Sequence, residues 1–262
     1  MPYVSVGKEE LYYDLKSGDP DKVIVFLHSL GTNHQLWKYQ VEKFAQEGYT
    51  IVAPDARGHG KSSCHDGVTV DLWVSDLLAI FNHLKLERAI ICGISMGGVE
   101  AMAFALKHPE RVRALILADT FAKIDPAAVG DKIRFTAGVA KEQGMDRYAD
   151  TYLDGTLSDS ETAEAIRSSL RQAIAGMSVE AYAGSAEACF RVDVEDQLGM
   201  ISAPTLVLIG EEDWKTPIGL SQTIAANIPG AKLQLVPNGR HLSNVDNPES
   251  FNQLLGAFVQ SV

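Results

Sequence analysis

Cysteine is scarce in this chain, and the three present, Cys64, Cys92 and Cys189, lie far apart with no Cys-x-x-Cys pair. An odd count at that spacing suggests neither a disulfide framework nor a zinc site. Reduced thiols suit a reducing compartment, so the cytoplasm is the expected location. Basic residues are also few: 23 Lys and Arg stand against 34 Asp and Glu, a net charge of −11. Nucleic acid is gripped through clustered Lys and Arg, so it is not expected as a partner. A small anionic ligand is still allowed, because one or two placed cations act locally. Long apolar runs are missing as well. No stretch approaches the about 20 apolar residues needed to span a bilayer. The opening MPYVSVGKEELYYDL has neither the basic start nor the apolar run of a signal peptide. Neither membrane insertion nor export is expected.

What is present is an ordinary globular balance: 262 residues, 46% apolar and 22% charged, with ample material for a core. The first half alternates short β-branched runs with amphipathic stretches. Residues 23–28 and 49–53 read as strands buried on both faces, the second closed by Pro54. Leu72, Leu77, Phe81 and Leu84 recur at helical spacing. A strand at 89–92, a small-residue helix at 96–108 stopped by Pro109, and a strand at 114–117 follow. That alternation predicts parallel strands joined by right-handed helical crossovers. From about Phe121 to Leu198 apolar runs vanish and helical spacing takes over, as at 133–148, 160–174 and 179–190. The alternation then resumes with a strand at 205–209, a helix at 218–228, a strand at 233–236 and a closing helix at 251–259. The expected fold is α/β, a doubly wound, mostly parallel sheet with an inserted helical cap. Residues 1–121 and 198–262 would form the core and 122–197 the cap.

Gly93-Ile94-Ser95-Met96-Gly97 sits between a buried strand and a helix. A serine in so sharp a turn carries backbone strain, and flanking glycines leave room where side chains would collide. Ser95 is the candidate nucleophile, and the free N–H of Met96, at the helix start, is a candidate oxyanion donor. A serine hydroxyl needs a base, itself oriented by an acid. Only His241 among the seven histidines lies late in the chain, in a loop after the last strand. It is the expected base. Asp213, after the strand at 205–209, is the favoured acid, with Asp119 as structural rival and Glu211 and Glu212 as solvated alternatives. The loop after the first buried strand, His28-Ser29-Leu30-Gly31-Thr32, should supply the second oxyanion N–H, from Leu30. His28 reads as a structural residue of that loop. Arg57 and His59 read as parts of a loop held by its own hydrogen bonds rather than as substrate contacts. The scheme requires no metal or organic cofactor.

These segments resemble the α/β-hydrolase family, and within it the 3-oxoadipate enol-lactonases. The resemblance runs over nearly the whole chain through FLHSLGTNHQLW, APDARGHGKS, GISMGG, HPERV, APTLVLIGEED and GRHLSNVDNPESF. It implies a Ser95–Asp213–His241 triad with Leu30 and Met96 as oxyanion donors. The segment 122–197 matches loosely, and Asn238-Gly239-Arg240-His241 departs from the commoner Gly-x-Gly-His. An enol lactone of that family is anionic, so cations should face the site. Arg134, Arg147, Arg167, Arg171 and Arg191 are the cap candidates. The expected function is hydrolysis of a small carboxylic ester or lactone through an acyl-enzyme. Carbon–carbon hydrolysis of a vinylogous diketone and ligand reception on the same scaffold are the alternatives.

Overall fold

A computed structural model describes residues 2–262. Its strands are β1 (Tyr3–Val6), β2 (Glu9–Lys16), β3 (Asp19–Leu27), β4 (Tyr49–Pro54), β5 (Ala89–Ile94), β6 (Val112–Ala118), β7 (Thr205–Gly210) and β8 (Lys232–Val236). They form one sheet in the order β1-β2-β4-β3-β5-β6-β7-β8. From β4 to β8 every pairing is parallel, whereas β1–β2 and β2–β4 are antiparallel. The sheet is α/β, doubly wound and mostly parallel. Sequence reading missed β1, β2 and the helix Lys38–Gln46, because their charged residues interrupt any apolar run.

Residues 23–27 of β3 are all buried, and their alternation between the two faces of the sheet explains the layers. Val23, Val25 and Leu27 pack on one face with Leu77, Phe81 and Phe104 from the helices Val70–His83 and Met96–Lys107. Ile24 and Phe26 pack on the other with Trp37, Phe44 and Phe251, the last from the helix Pro248–Val259. Burying each of these large side chains contributes about 1.5–3 kcal/mol. The chain leaves β3 toward β4 and returns to β5 on the opposite side of β3. The carboxyl ends of β3 and β5 therefore flank the switch point, where a doubly wound sheet opens a crevice.

Between β6 and β7 the chain is helical: Pro126–Ile133, Val139–Gln143, Met145–Asp154, Glu161–Ala175 and Val179–Phe190. Ser160 and Ser178 cap two of these, each accepting from the N–H three residues on, at 3.2 and 3.1 Å. The stretch 133–148, read as one helical run, is divided. A π turn occupies Arg134–Gly138, and Gly144 at φ +76° breaks the helix before Met145. No described helix is long and apolar enough to cross a membrane.

Candidate active site

Ser95 stands at the carboxyl end of β5 with φ 53° and ψ −116°, a strained conformation for a residue with a side chain. The turn holds because Gly93 and Gly97 lack Cβ atoms. One on Gly93 would meet the Gly97 carbonyl, and one on Gly97 the Leu27 carbonyl. The Ser95 N–H donates to Ala118 O at 2.9 Å. Its carbonyl accepts from Gly98 N, Val99 N and Thr120 Oγ1, at 2.9, 3.2 and 2.7 Å. That carbonyl shares a rigid peptide with the Met96 N–H. Pinning the oxygen toward the helix aims the N–H the opposite way, out of the helix start.

The loop after β3 repeats the device. The Ser29 carbonyl accepts from His28 Nδ1 at 2.8 Å, Thr32 N at 3.1 Å and Thr32 Oγ1 at 2.8 Å. The same peptide carries the Leu30 N–H, for which no protein acceptor is found among the described residues. His28 can donate from Nδ1 because its Nε2 accepts the Ala56 N–H at 2.9 Å, and burial lowers its affinity for a second proton. Ser29 Oγ lies 3.2 Å from the Tyr152 hydroxyl, linking the loop to the helical segment.

His241 follows β8, and its Nε2 lies 3.0 Å from Ser95 Oγ. Its Nδ1 lies 2.9 Å from Asp213 Oδ2. Asp213 Oδ1 accepts from the N–H groups of Lys215 and Thr216 at 2.8 and 3.1 Å, and Thr216 Oγ1 donates to Oδ2. Burial works to raise the Asp213 carboxyl, but the contacts with His241 and Thr216 outweigh it and hold it below the usual range. A carboxylate at Nδ1 fixes the proton there, leaving the Nε2 lone pair for the Ser95 hydroxyl.

Asp119 lies elsewhere. It is fully buried at the end of β6, accepting from Gly210 N at 2.7 Å and Ser243 Oγ at 2.5 Å. Burial and the neighbouring Asp213 charge push its carboxyl well above the usual range. Glu211 and Glu212 are exposed. Arg57 makes a bidentate pair with Asp76, at 2.8 and 2.7 Å, and His59 is buried behind it with its Nδ1 at the Arg57 carbonyl. Both brace the core.

Ser95, His241 and Leu30 open into a cavity of about 410 Å³. Its walls come largely from the helical segment and the Asp213 loop, with Phe121, Phe135, Tyr148, Tyr152, Phe190 and Trp214 as the aromatic lining beside His241. None of the five arginines named from sequence lines it. Arg134 pairs with Asp131, Arg167 with Asp154, Arg171 with Asp146 and Asp150, and Arg191 with Glu187, while Arg147 is exposed. The cations on the wall are Lys132 and Lys215, which sequence reading missed. No motif marks either; Lys215 is distinguished only by following Asp213. Among the described residues no group of three or more His, Cys, Asp or Glu side chains is arranged to hold a metal ion.

Strand, strained serine turn, helix and late histidine at a switch point define a class, and comparison with known proteins agrees. Residues 22–248 match the alpha/beta hydrolase fold family, to which this chain belongs. It is 35% identical to 3-oxoadipate enol-lactonase 2 of Acinetobacter baylyi over 251 residues, covering 93% of this chain and 91% of that one. The enol-lactonase of Burkholderia xenovorans superposes with a TM-score of 0.89 at 28% identity, covering 99% of this chain and 100% of that one. A thermophilic esterase of Thermogutta terrifontis, solved with malate bound, superposes with a TM-score of 0.87 at 27% identity, covering 99% and 97%.

Proposed function

We propose that this chain is a serine hydrolase that cleaves a carboxylic ester or lactone through an acyl-enzyme. Ser95 is the nucleophile, His241 the general base and Asp213 the acid that orients it. The observation that carries this is the hydrogen-bonded line from Asp213 through His241 to Ser95, opening into a cavity. Nε2 of His241 takes the Ser95 proton as Oγ attacks the carbonyl carbon. Charge gathers on the carbonyl oxygen, where the Leu30 and Met96 N–H groups stabilise it; one such donor is worth about 3 kcal/mol. The tetrahedral intermediate collapses, and the imidazolium returns its proton to the departing alkoxide or enolate. Water, deprotonated by His241, attacks the acyl carbon and releases the acid with Ser95 restored. No step calls on a metal or organic cofactor.

Enol lactones are the finer reading, supported by the likeness to the Acinetobacter and Burkholderia enol-lactonases. Their leaving group is an enol, expelled readily and drained to the ketone by tautomerisation. The helices within 122–197 act in this reading as a cap over a core built from 1–121 and 198–262, walling the cavity that receives the substrate. A screen of short p-nitrophenyl esters, saturated lactones and enol lactones tests it, with Ser95→Ala as control. Turnover of at least one class that Ser95→Ala lacks is expected. Wild-type protein inert on all of them, or undiminished turnover by the variant, removes the reading.

A further inference from the structure

Arg240 stands immediately before His241, where the commoner pattern has glycine, and no step of the proposed hydrolysis uses it. Its side chain is not part of the cavity wall. Instead Nη1 donates to the Leu157 carbonyl at 2.8 Å, in the turn between the helices Met145–Asp154 and Glu161–Ala175. The Arg240 backbone N–H donates to Asp246 Oδ2 at 2.8 Å, and Asp246 Oδ1 accepts from the Ser158 N–H of that same turn at 2.8 Å. The Asp246 carbonyl accepts from Thr162 Oγ1 at 3.3 Å.

Asp246 is 5% exposed. Burial pushes its carboxyl up, and the N–H bonds from Ser158 and Arg240 work against that. A buried carboxylate is unfavourable unless its oxygens are hydrogen-bonded. Here the two oxygens are divided between the residue before His241 and the turn at 157–158. Arg240 adds a charge-assisted bond between the same two segments. Its other partner is Glu212, with Oε2 4.0 Å from Nε and a side chain 55% exposed. An ion pair that long and that exposed contributes little. The bond to Leu157 is therefore the side chain's main contact.

These bonds bear on alignment. Nε2 of His241 lies 3.0 Å from Ser95 Oγ, and its Nδ1 lies 2.9 Å from Asp213 Oδ2. The backbone leading into the ring is held at two places. Gly239 O accepts from Glu212 N at 2.8 Å, and the Arg240 N–H meets Asp246. Displacing a reacting group by about 1 Å can cost about 10²-fold in rate.

We propose that Arg240 is a positioning residue, which keeps the His241 ring in line with Ser95 by fastening its loop, together with Asp246, to the turn at 157–158. This inference rests on the reading of His241 as the general base. Arg240 touches no reacting atom and acts only through the histidine beside it.

The test pairs kinetics on p-nitrophenyl acetate with a spectroscopic reading of the ring. Arg240→Met keeps the aliphatic stem and removes every donor. Its kcat should fall about ten-fold with KM within about two-fold of wild type, and Arg240→Lys, which restores a cation at the Leu157 carbonyl, should recover to within about three-fold. Asp246→Asn presents an NH2 to one of the two N–H groups and should lose at least as much. Tyr39→Phe is the control. It removes the bond from the Tyr39 hydroxyl to the Thr162 carbonyl, 2.8 Å, and so loosens the same helical segment without touching the His241 loop. It should lower Tm and leave kcat unchanged. In proton NMR, the His241 Nδ1–H bonded to Asp213 gives a downfield resonance, identified by its absence from His241→Gln. Arg240→Met should broaden or abolish that resonance. A kcat of Arg240→Met within about two-fold of wild type, or an equal fall in Tyr39→Phe, overturns the inference. If the wild type turns over no ester the hydrolase reading fails, and the resonance then decides. Its loss in Arg240→Met supports the positioning role, and an unchanged line overturns it.

Discussion

Replacing Asp213 and Asp119 in turn by asparagine tests the proposal that Asp213, and not Asp119, is the acid that orients His241. In Asp213→Asn the amide oxygen takes the place of Oδ1 and keeps the N–H groups of Lys215 and Thr216, at 2.8 and 3.1 Å. The NH2 then faces His241 Nδ1, where Oδ2 lay at 2.9 Å. An NH2 donates, so Nδ1 must accept and the ring proton moves to Nε2. From there it points at Ser95 Oγ, 3.0 Å away, and the proposed base is lost. A tautomer error of this kind lowers kcat by about 10⁴-fold, about 5.5 kcal/mol of barrier. Asp119→Asn differs, because burial and the Asp213 charge already hold that carboxyl well above the usual range. Asparagine mimics the protonated form: its oxygen keeps the Gly210 N–H and its NH2 turns to Ser243 Oγ. Its kcat should stay within about three-fold of wild type, with a stability loss of about 1 kcal/mol at most. Steady-state kinetics on the best ester and thermal denaturation of both variants are the assays. Equal losses of kcat, or Asp213→Asn retaining a tenth of wild-type turnover, would refute the reasoning.

Thr32→Val removes the hydroxyl that holds the Ser29 carbonyl at 2.8 Å but leaves the Thr32 N–H and His28 in place. Losing a whole oxyanion donor costs about 10²–10³ in kcat, so loosening one anchor should lower kcat about 3–10-fold with KM nearly constant. A change confined to thermal stability would contradict the aiming role of this carbonyl. Ligand-free Lys215→Met should be more stable than wild type at pH 7, by about 1 kcal/mol after allowance for partial exposure, raising Tm by about 2–4 °C. The sign follows from burial, which brings Lys215 down to about 8. Between that pH and the ordinary lysine value the unfolded chain binds more protons, so wild-type stability climbs with pH. Below it both states are charged and the folded one bears the full penalty. Differential scanning calorimetry at pH 7 and near pH 10 checks this: the gain should shrink with pH, and a lower Tm at pH 7 would count against it.

Legibility in the sequence tracked how local each signal was. The central strands β3 to β7 announced themselves as continuous apolar runs because both faces are covered. The edges β1 and β2 are half-exposed and carry Glu9, Glu10, Asp14 and Lys16, which hide their period. Ser95 was readable because a strained turn needs glycines at fixed offsets. The approach of His241 and Asp213 rests on chain order, a property of sheet topology rather than of either neighbourhood. The cavity wall was the least legible. The arginines of the helical segment were the obvious cations, yet each of four pairs with an acid on its own or a neighbouring helix and none lines the cavity. Lys132 and Lys215 face inward because of how the helical segment packs over the Asp213 loop, which leaves no periodicity to read. Thr32 and Tyr152 were invisible for the same reason: their partners, the Ser29 carbonyl and hydroxyl, are set by tertiary contact.

The central claim is that Ser95 receives the acyl group. Rapid acid quench of the protein mixed with p-nitrophenyl acetate, followed by intact and peptide mass spectrometry, tests it directly. The account predicts one acetyl group per chain, located on Ser95 and formed in the burst that releases p-nitrophenol. Acetylation at another residue, or p-nitrophenol released at full rate by Ser95→Ala, would contradict it.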